Sequence, residues 1–530
     1  MATITTLPVE TPTATPAPPT RRRQSGVGLT ALLALLAALL HGYHPYAEDG
    51  GLYLAGVRKL LQPELYPQQT AFVTEHLRFS VFARVVAGLV RISHGDVMVW
   101  MALLYVGSFW LLLFAGWQVA QHCLPTLQAR LGAVALLAVC ITLPIAGTSL
   151  LLMDQYVTAR SFATPLGLLA VAAALEATTL NWPTTEVLVD ARRRRRAALR
   201  CGLLLLAAAV LHPLMAAFAA ALCALVAASG ARKARARNVA LTALALLALG
   251  GAALLQLATP AETATYTRVA MTRSYWFLAR WAWYEQFGLV APLLILAAAG
   301  WWPGSTDARR RLARATTLAG ALASLVALTL ARPQLAVHLV ARLQPLRMFV
   351  LVYVVMILLL GGWLAEHWMR NRPSRWLLVF AALAAIFATT ERATFPASSY
   401  WELPGAHTSN PWEQAFLWAR SHTPTDALFA LDAHYITAPG EDAQSFRAIA
   451  QRSMLPDFSK DGGEAAITPS LAEPWAQGVN AQSQLDQQDD AARIRTLRPL
   501  GVSWLLLQRD ATTNLPCPYQ NVQVKVCRLP

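Results

Sequence analysis

The sequence predicts an α-helical polytopic membrane protein with about eleven transmembrane spans and a small C-terminal α/β domain outside the cytoplasm. Of the 530 residues, 56% are hydrophobic and only 14% are charged, against roughly 25% charged in soluble domains. Apolar runs of about 15 to 22 residues, long enough to cross a bilayer, recur along the chain. The net charge of +15 comes largely from arginines that flank these runs, as positive-inside sorting produces. This composition excludes a soluble enzyme, a secreted disulfide scaffold and a disordered protein, and it gives no reason to expect nucleic acid as a partner.

The N-terminus is a basic tail, residues 1–24, rich in Thr, Pro and Ala and expected to be disordered. Arg21, Arg22 and Arg23 precede an apolar run from Val27 to Leu40. This pairing resembles a signal peptide, but no convincing small-residue cleavage site follows it. We therefore expect an uncleaved first span with a cytoplasmic N-terminus.

The remaining spans belong to a transmembrane domain predicted over residues 25–393. The stretch 200–229 is too long for one span and carries His212-Pro213 at its middle, with basic clusters on both sides. Two cytoplasmic flanks predict a hairpin of two spans that turns near His212. The other eight are expected at about 96–118, 131–152, 163–181, 238–257, 288–302, 315–331, 347–365 and 376–392.

An odd number of spans places the C-terminal part outside the cytoplasm, after a linker at 394–411. From residue 395 onward the chain holds 14 acidic and 10 basic residues, so its charge differs from that of the basic remainder. Periodicity predicts an α/β domain over 412–530. Its elements are helices at 412–421 and 491–497 and strands at 427–431, 502–508 and 522–527.

Six cysteines are present, and four of them lie in or beside predicted spans, where they read as small packing residues. Cys517 and Cys527 both fall in the outer domain. They could close a short disulfide loop in an oxidising compartment or remain free.

The long first outer loop, about 42–95, contains the candidate catalytic acids Glu48 and Asp49, followed by Gly50-Gly51 and by Tyr53. A carboxylate near the hydrocarbon boundary loses solvation, which raises its basicity. It can then serve as a general base or bind a divalent cation such as Mg or Mn. The simpler alternative is that one of the acids caps a helix starting near Leu52.

A second outer acid, Asp154, is followed by Arg160. The two could face the same cavity as Asp49, or form an interfacial ion pair. The aromatic loop that includes Tyr275 and Trp276 could anchor spans at headgroup level or line a site for a lipid-linked sugar.

The loop from Arg332 to Arg347 carries three arginines and a histidine on the side where positive charge is disfavoured: Arg332, His338, Arg342 and Arg347. A lipid phosphate is the simplest anion to hold them there. Snorkelling interfacial arginines are the alternative. His212 either lines the cavity or is a satisfied core histidine beside a proline kink.

In layout the chain resembles bacterial, uncharacterised members of the GT-C superfamily of membrane glycosyltransferases. The features that carry this are the acidic first outer loop, Asp154 with Arg160, the His212-Pro213 hairpin, the Arg332–Arg347 loop and the outer domain opening at Trp412-Glu413. Glu48-Asp49 departs from an unmistakable DxD or Asp-Asp pair, which leaves the base and the metal open.

The resemblance implies transfer of a hexosyl or pentosyl group from a polyprenyl-phosphate sugar donor to a lipid, glycan or protein acceptor at the outer face of a bacterial cytoplasmic membrane. It implies Asp49 as base or metal-binding carboxylate, Asp154 as second acid, and Arg342 and Arg347 as donor-phosphate ligands. Two other classes stay open: a transporter or flippase of a lipid-linked glycan, and a non-enzymatic scaffold in which these groups never share a cavity.

Overall fold

The computed structural model describes residues 26–179, 187–231, 233–302, 305–438 and 441–530. The predicted basic tail, with Arg21 to Arg23, lies outside these residues. From the N-terminus to the end of the membrane part the helices are α1 (Val27–His41), α2 (Glu48–Leu61), α3 (Ala71–Thr74), α4 (Phe82–Ser93), α5 (Val97–Cys123), α6 (Leu127–Val139), α7 (Arg160–Thr179), α8 (Val187–Leu211), α9 (Pro213–Ser229), α10 (Ala234–Ala258), α11 (Ala264–Met271), α12 (Trp283–Trp301), α13 (Asp307–Leu330), α14 (Leu339–Arg342), α15 (Phe349–Leu364) and α16 (Pro373–Thr394).

Seven candidate membrane spans among the described helices are long and apolar enough to cross a bilayer, and three shorter helices, α1, α6 and α9, are also apolar. The protein is therefore a multi-pass membrane protein. α15 lies at the centre of the bundle and is buried along nearly its whole length. α10 and α16 lie at the periphery, where Leu246, Leu254 and Leu377 are exposed, as side chains facing lipid would be.

The predicted continuous span at 131–152 is wrong in its second half. Helix α6 ends at Val139, and the chain then forms a two-stranded antiparallel hairpin, β1 (Pro144–Ile145) and β2 (Leu150–Leu151). Pro144 lacks a backbone donor, and Gly147 has a φ of +65°, which the turn requires. A side chain at Gly147 would collide with the Trp281 ring, 2.2 Å from the added carbon.

The stretch 200–229 consists of two helices. The backbone leaves α8 at Leu211, His212 adopts an extended conformation, and Pro213 occupies the first turn of α9. The ring of His212 accepts a hydrogen bond from the backbone N–H of Met215 at 3.4 Å, which caps α9.

Loops that were expected on the cytoplasmic side lie together at one end of the bundle. Thr306 donates to the Cys123 carbonyl at 2.9 Å, Thr126 donates to Glu366 at 2.7 Å, and Arg311 donates to the Thr178 carbonyl at 2.8 Å. The loops that were expected outside lie at the opposite end, against the C-terminal domain.

The C-terminal domain contains helices α17 (Pro411–His422), α18 (Phe446–Ala450), α19 (Lys460–Ile467), α20 (Ala472–Gln482) and α21 (Asp490–Leu497) around a five-stranded mixed sheet. The order is β4-β3-β5-β7-β6, parallel between β4, β3 and β5 and antiparallel between β5, β7 and β6. The strands are β3 (Leu428–Ala430), β4 (Ser453–Met454), β5 (Trp504–Gln508), β6 (Tyr519–Gln520) and β7 (Val524–Arg528). Both predicted helices and all three predicted strands are present within a few residues, and Cys517 and Cys527 are joined by a disulfide.

Candidate active site at the outer face

The first two outer loops and the start of the outer domain are joined by a buried network around His44. The His44 backbone N–H donates to the Gln155 carbonyl at 2.8 Å, and the Gln155 side chain donates to Glu391 at 2.8 Å. The two ring nitrogens of His44 lie 2.9 Å from Glu391 and 2.7 Å from Glu402. Burial opposes protonation of His44, but the two carboxylates outweigh it and raise its pKa to about 9.

The diglycine places the start of α2 in close contact with two other segments. An added carbon at Gly50 would lie 2.7 Å from the Cβ of Tyr156, and one at Gly51 would lie 2.1 Å from the Cβ of Ser445. Both distances are impossible for a real side chain, so only glycine permits this packing. As a result Asp49 lies between the Asp154 loop and the outer domain.

Four charged residues from three separate loops meet here, and we call Asp49, Asp154, Arg160 and Arg347 the acid cluster. Asp154 is buried and accepts a hydrogen bond from Arg160. Burial raises the pKa of Asp154, the charge of Arg160 opposes that rise, and the charges of Asp49 and Arg347 also act on this carboxyl. The Asp49 side chain stays 42% exposed, so it is the acid that a substrate can reach.

The outer domain contributes two charged residues to the cluster that sequence reasoning missed. Lys460, the first residue of α19, donates a hydrogen bond to Glu48 and lies 3.7 Å from Asp49. Burial lowers the pKa of Lys460 to about 8. Burial, with the charge of Asp49, raises the pKa of Glu464 to about 8.

A sequence signal for these two residues does exist. Lys460-Asp461-Gly462-Gly463-Glu464 repeats the acid-diglycine pattern of Glu48-Asp49-Gly50-Gly51. In the second copy, an added carbon at Gly462 would lie 2.9 Å from the guanidinium of Arg273. Both copies therefore mark close approach between the outer domain and the membrane part.

Arg347 lines a narrow crevice together with Thr148, Tyr275, Trp276 and Gln344. Its volume is about 10 Å³, room for about one water molecule. The Nε of Arg347 and the indole Nε1 of Trp276 are buried donors without a hydrogen-bond partner among the described residues. Two unpartnered donors, one of them cationic, suit an anion.

Two further candidates from the sequence lie within electrostatic reach of the acid cluster. The charges of Asp49, Arg160 and Arg347 act on the hydroxyl of Tyr53, and those of Arg160 and Arg347 act on His212. Neither Glu48 nor Asp49 caps the helix expected near Leu52, because α2 begins at Glu48 and has no side-chain cap.

The other half of the arginine loop has different contacts. His338 is buried and receives both oxygens of Glu262: its backbone N–H donates at 2.7 Å and its ring Nδ1 lies 2.6 Å away. Arg342 lies over the ring of Tyr266, 6.0 Å from its centroid. Arg332 is exposed. The structure thus brings Arg347 to the acids and places the other three candidate phosphate ligands elsewhere.

The acids do not fit a divalent cation as they stand. Asp154 is paired with Arg160, and Lys460 contacts both Glu48 and Asp49. Within the described ranges, no group of three or more His, Cys, Asp or Glu side chains is placed to hold a metal ion. A cation between Asp49 and Asp154 would have to displace Lys460, so we derive no step through a metal.

No family model and no curated protein matches the chain. Similar solved structures include the archaeal oligosaccharyltransferase AglB from Archaeoglobus fulgidus in complex with an inhibitory peptide and a dolichol-phosphate. It has 10% identity and a TM-score of 0.45, over 91% of this chain and 69% of that one. An Archaeoglobus fulgidus oligosaccharyltransferase in complex with Zn and sulfate has 13% identity and a TM-score of 0.44, over 91% and 68%.

AglB is a GT-C superfamily member, so the superfamily that the sequence resembles is also found among the chain's structural neighbours. With identities of 10% and 13%, the likeness carries no inference about substrate or mechanism. The function is therefore argued from the side chains described above.

Proposed function

We propose that the chain is a membrane glycosyltransferase that moves a hexosyl or pentosyl group from a polyprenyl-phosphate donor to an acceptor hydroxyl or amide at the outer face. The observation that carries the proposal is the acid cluster: an accessible carboxylate, Asp49, shares a site with Arg347 and its crevice of unpartnered donors. Glycosyl transfer needs a base for the acceptor and charge stabilisation for the departing phosphate.

In this reaction Asp49 takes the proton from the acceptor. The acceptor oxygen or nitrogen forms the new bond to the anomeric carbon, and the bond between that carbon and the phosphate oxygen breaks. Its electron pair leaves with the polyprenyl phosphate, whose charge the Arg347 guanidinium and the Trp276 N–H stabilise. The crevice must widen to admit a sugar, because its volume is about 10 Å³.

The other residues of the site position these two. Arg160 holds Asp154 by a buried hydrogen bond, so Asp154 orients the cluster and does not collect the proton. Lys460 balances the negative charge of Glu48 and Asp49. In the family resemblance Asp154 has the role of a second acid, and here that role is electrostatic.

We place the protein in the cytoplasmic membrane of a bacterium, with eleven spans, a cytoplasmic N-terminus and the outer domain 412–530 in the periplasm or outside the cell. The basic loop end of the bundle supports this orientation. The linker 394–411 connects α16 to the outer domain through the backbone pairing of Tyr43 with Trp401.

The test is transfer by the purified chain in proteoliposomes containing a panel of polyprenyl-phosphate sugars and candidate acceptors. Product and released polyprenyl phosphate are measured by mass spectrometry. We expect stoichiometric release of both, unchanged in EDTA, because Lys460 and Arg160 already neutralise the acids. Translocation of a lipid-linked sugar without covalent transfer would contradict the proposal and favour a flippase. Loss of activity in EDTA, restored by Mg²⁺ or Mn²⁺, would refute the metal-free site.

A further inference from the structure

A second, larger cavity lies at the outer face, away from the acid cluster. Its volume is about 720 Å³, and it lies between α2, the start of α5, the segment 399–408 and α17. This volume is typical of ligand pockets, roughly 300–1,000 Å³. Asp49 and Arg58 are nine residues apart on α2, which separates the two sites by about 14 Å along the helix at 1.5 Å per residue.

Three buried polar atoms in the wall of this cavity have no hydrogen-bond partner within the part of the chain that the structure describes. They are Nη1 of Arg58, Oε1 of Glu413 and Oε2 of Glu402. Arg58 is 7% exposed and Glu413 is 4% exposed. A buried polar group that stays unpaired costs about 1–3 kcal/mol or more. Three such groups in one wall indicate that the cavity normally holds something that pairs with them.

The other contacts of these residues fix them in place. Arg58 reaches the sulfur of Met98 through its second Nη at 3.6 Å. The other oxygen of Glu402 is held by His44 at 2.7 Å and by the Gln444 side chain at 2.8 Å. The wall is therefore preorganised, and each residue presents its unpaired atom while the rest of the side chain is held.

The charges in the wall nearly cancel. Arg58 and Arg420 face Asp96, Glu402 and Glu413, so a strongly charged ligand of either sign would meet repulsion as well as attraction. Hydroxyl groups avoid this difficulty, because each one can accept from a guanidinium and donate to a carboxylate. Tyr46 adds an aromatic ring to the same wall, and an aromatic body packs on the apolar face of a sugar.

We infer that this cavity binds a neutral oligosaccharide at a site separate from the acid cluster. A peptide backbone also offers donors and acceptors without net charge. It is less suited here, because the unpaired atoms are side-chain carboxyl and guanidinium groups in a concave wall and not a strand edge. The inference needs no turnover, so it can fail or hold independently of the proposed transferase chemistry.

The test is saturation-transfer NMR and calorimetry on the full chain in lipid nanodiscs, since maltoside detergents carry a sugar headgroup of their own. The probes are neutral trisaccharides of glucose, galactose, mannose and N-acetylglucosamine. Charged comparisons are 3′-sialyllactose and chitosan trimer, and a capped Gly-Ser hexapeptide is the peptide probe. We expect at least one neutral trisaccharide to bind saturably, at least tenfold more tightly than the charged sugars and the peptide.

Variants locate the binding. Arg58→Gln and Glu413→Gln should each weaken it at least tenfold. Ala406→Trp, at an exposed position on the rim of the cavity, should block it without burying a new group. The exposed Arg84→Gln on α4 is the matched control, and Asp49→Asn should bind normally. Binding of none of the neutral sugars, tighter binding of the peptide or of a charged sugar, or full binding in Ala406→Trp would overturn the inference.

Discussion

Two groups of charged residues at the outer face look alike in the sequence and differ in the structure. The acid cluster leaves Asp49 accessible and leaves donors of Arg347 and Trp276 unpartnered. The pair of Glu262 and His338 is closed, because both carboxylate oxygens are used by the backbone and ring of one histidine. Charge near the outer leaflet is therefore not enough to mark a site. Unused hydrogen-bonding capacity is what distinguishes the first group from the second.

The largest effect is expected at Asp49. Asp49→Asn should lower transfer by about 10²–10⁴-fold, the usual contribution of a general base, while the protein still inserts and folds because the side chain is partly exposed. Initial rates in proteoliposomes measure this. Glu64→Gln, an exposed acid of the same loop, is the control and should keep its activity. Normal turnover in Asp49→Asn would remove this residue from the mechanism.

The next effect compares the two arginines of one loop. Arg347→Gln should lower kcat by about 10²–10³-fold, as loss of a group that stabilises developing charge does. Arg342→Gln should stay within about threefold, because Arg342 contacts Tyr266 and not the acids. Equal losses in both variants would mean that the two regions do not differ in the way described.

Much of this architecture follows from the sequence. Apolar length and arginine placement predict the membrane part, and period-two runs predict strands such as Trp504–Gln508. Asp49, Asp154, Arg160 and Arg347 were all candidates from their positions in outer loops. Their grouping could not be predicted, because it depends on glycine contacts such as Gly50 with Tyr156, which link loops about a hundred residues apart.

Other features could not be predicted for similar reasons. The run at 131–152 is apolar throughout, so only Pro144 and Gly147 signal that the helix ends early. Lys460 and Glu464 lie more than 400 residues from Asp49, and nothing local shows that α19 packs on α2. The partner of His338, Glu262, lies in a different loop, and this pairing decides whether the histidine is free to bind a ligand.

A smaller effect is expected from Lys460. Its pKa of about 8 means that the ammonium is charged below that pH and loses its charge above it. The rate should therefore fall as the pH rises through 8, by roughly tenfold, which corresponds to about 1.4 kcal/mol. Lys460→Arg keeps the charge and should remove this alkaline fall. Glu464 titrates in the same range, so a fall that persists in the arginine variant would assign it to Glu464.

The smallest effect concerns stability at the His44 network. Because its pKa is raised to about 9 from an unfolded value of 6.5, the stabilisation is fully present below about pH 6.5 and is lost as the pH rises through 9. The thermal midpoint of the wild type should fall by a few degrees between pH 6 and pH 9.5. In His44→Gln this difference should disappear. An equal fall in the variant would show that another group causes the pH dependence.

The most direct test of the account is a cryo-electron microscopy structure of the full chain with a polyprenyl phosphate bound. The account predicts the phosphate within hydrogen-bond distance of the Arg347 guanidinium and the Trp276 indole N–H, with Asp49 facing the position of the sugar. A phosphate held by Arg342 or Arg332 instead, with the crevice at Arg347 still closed, would contradict it.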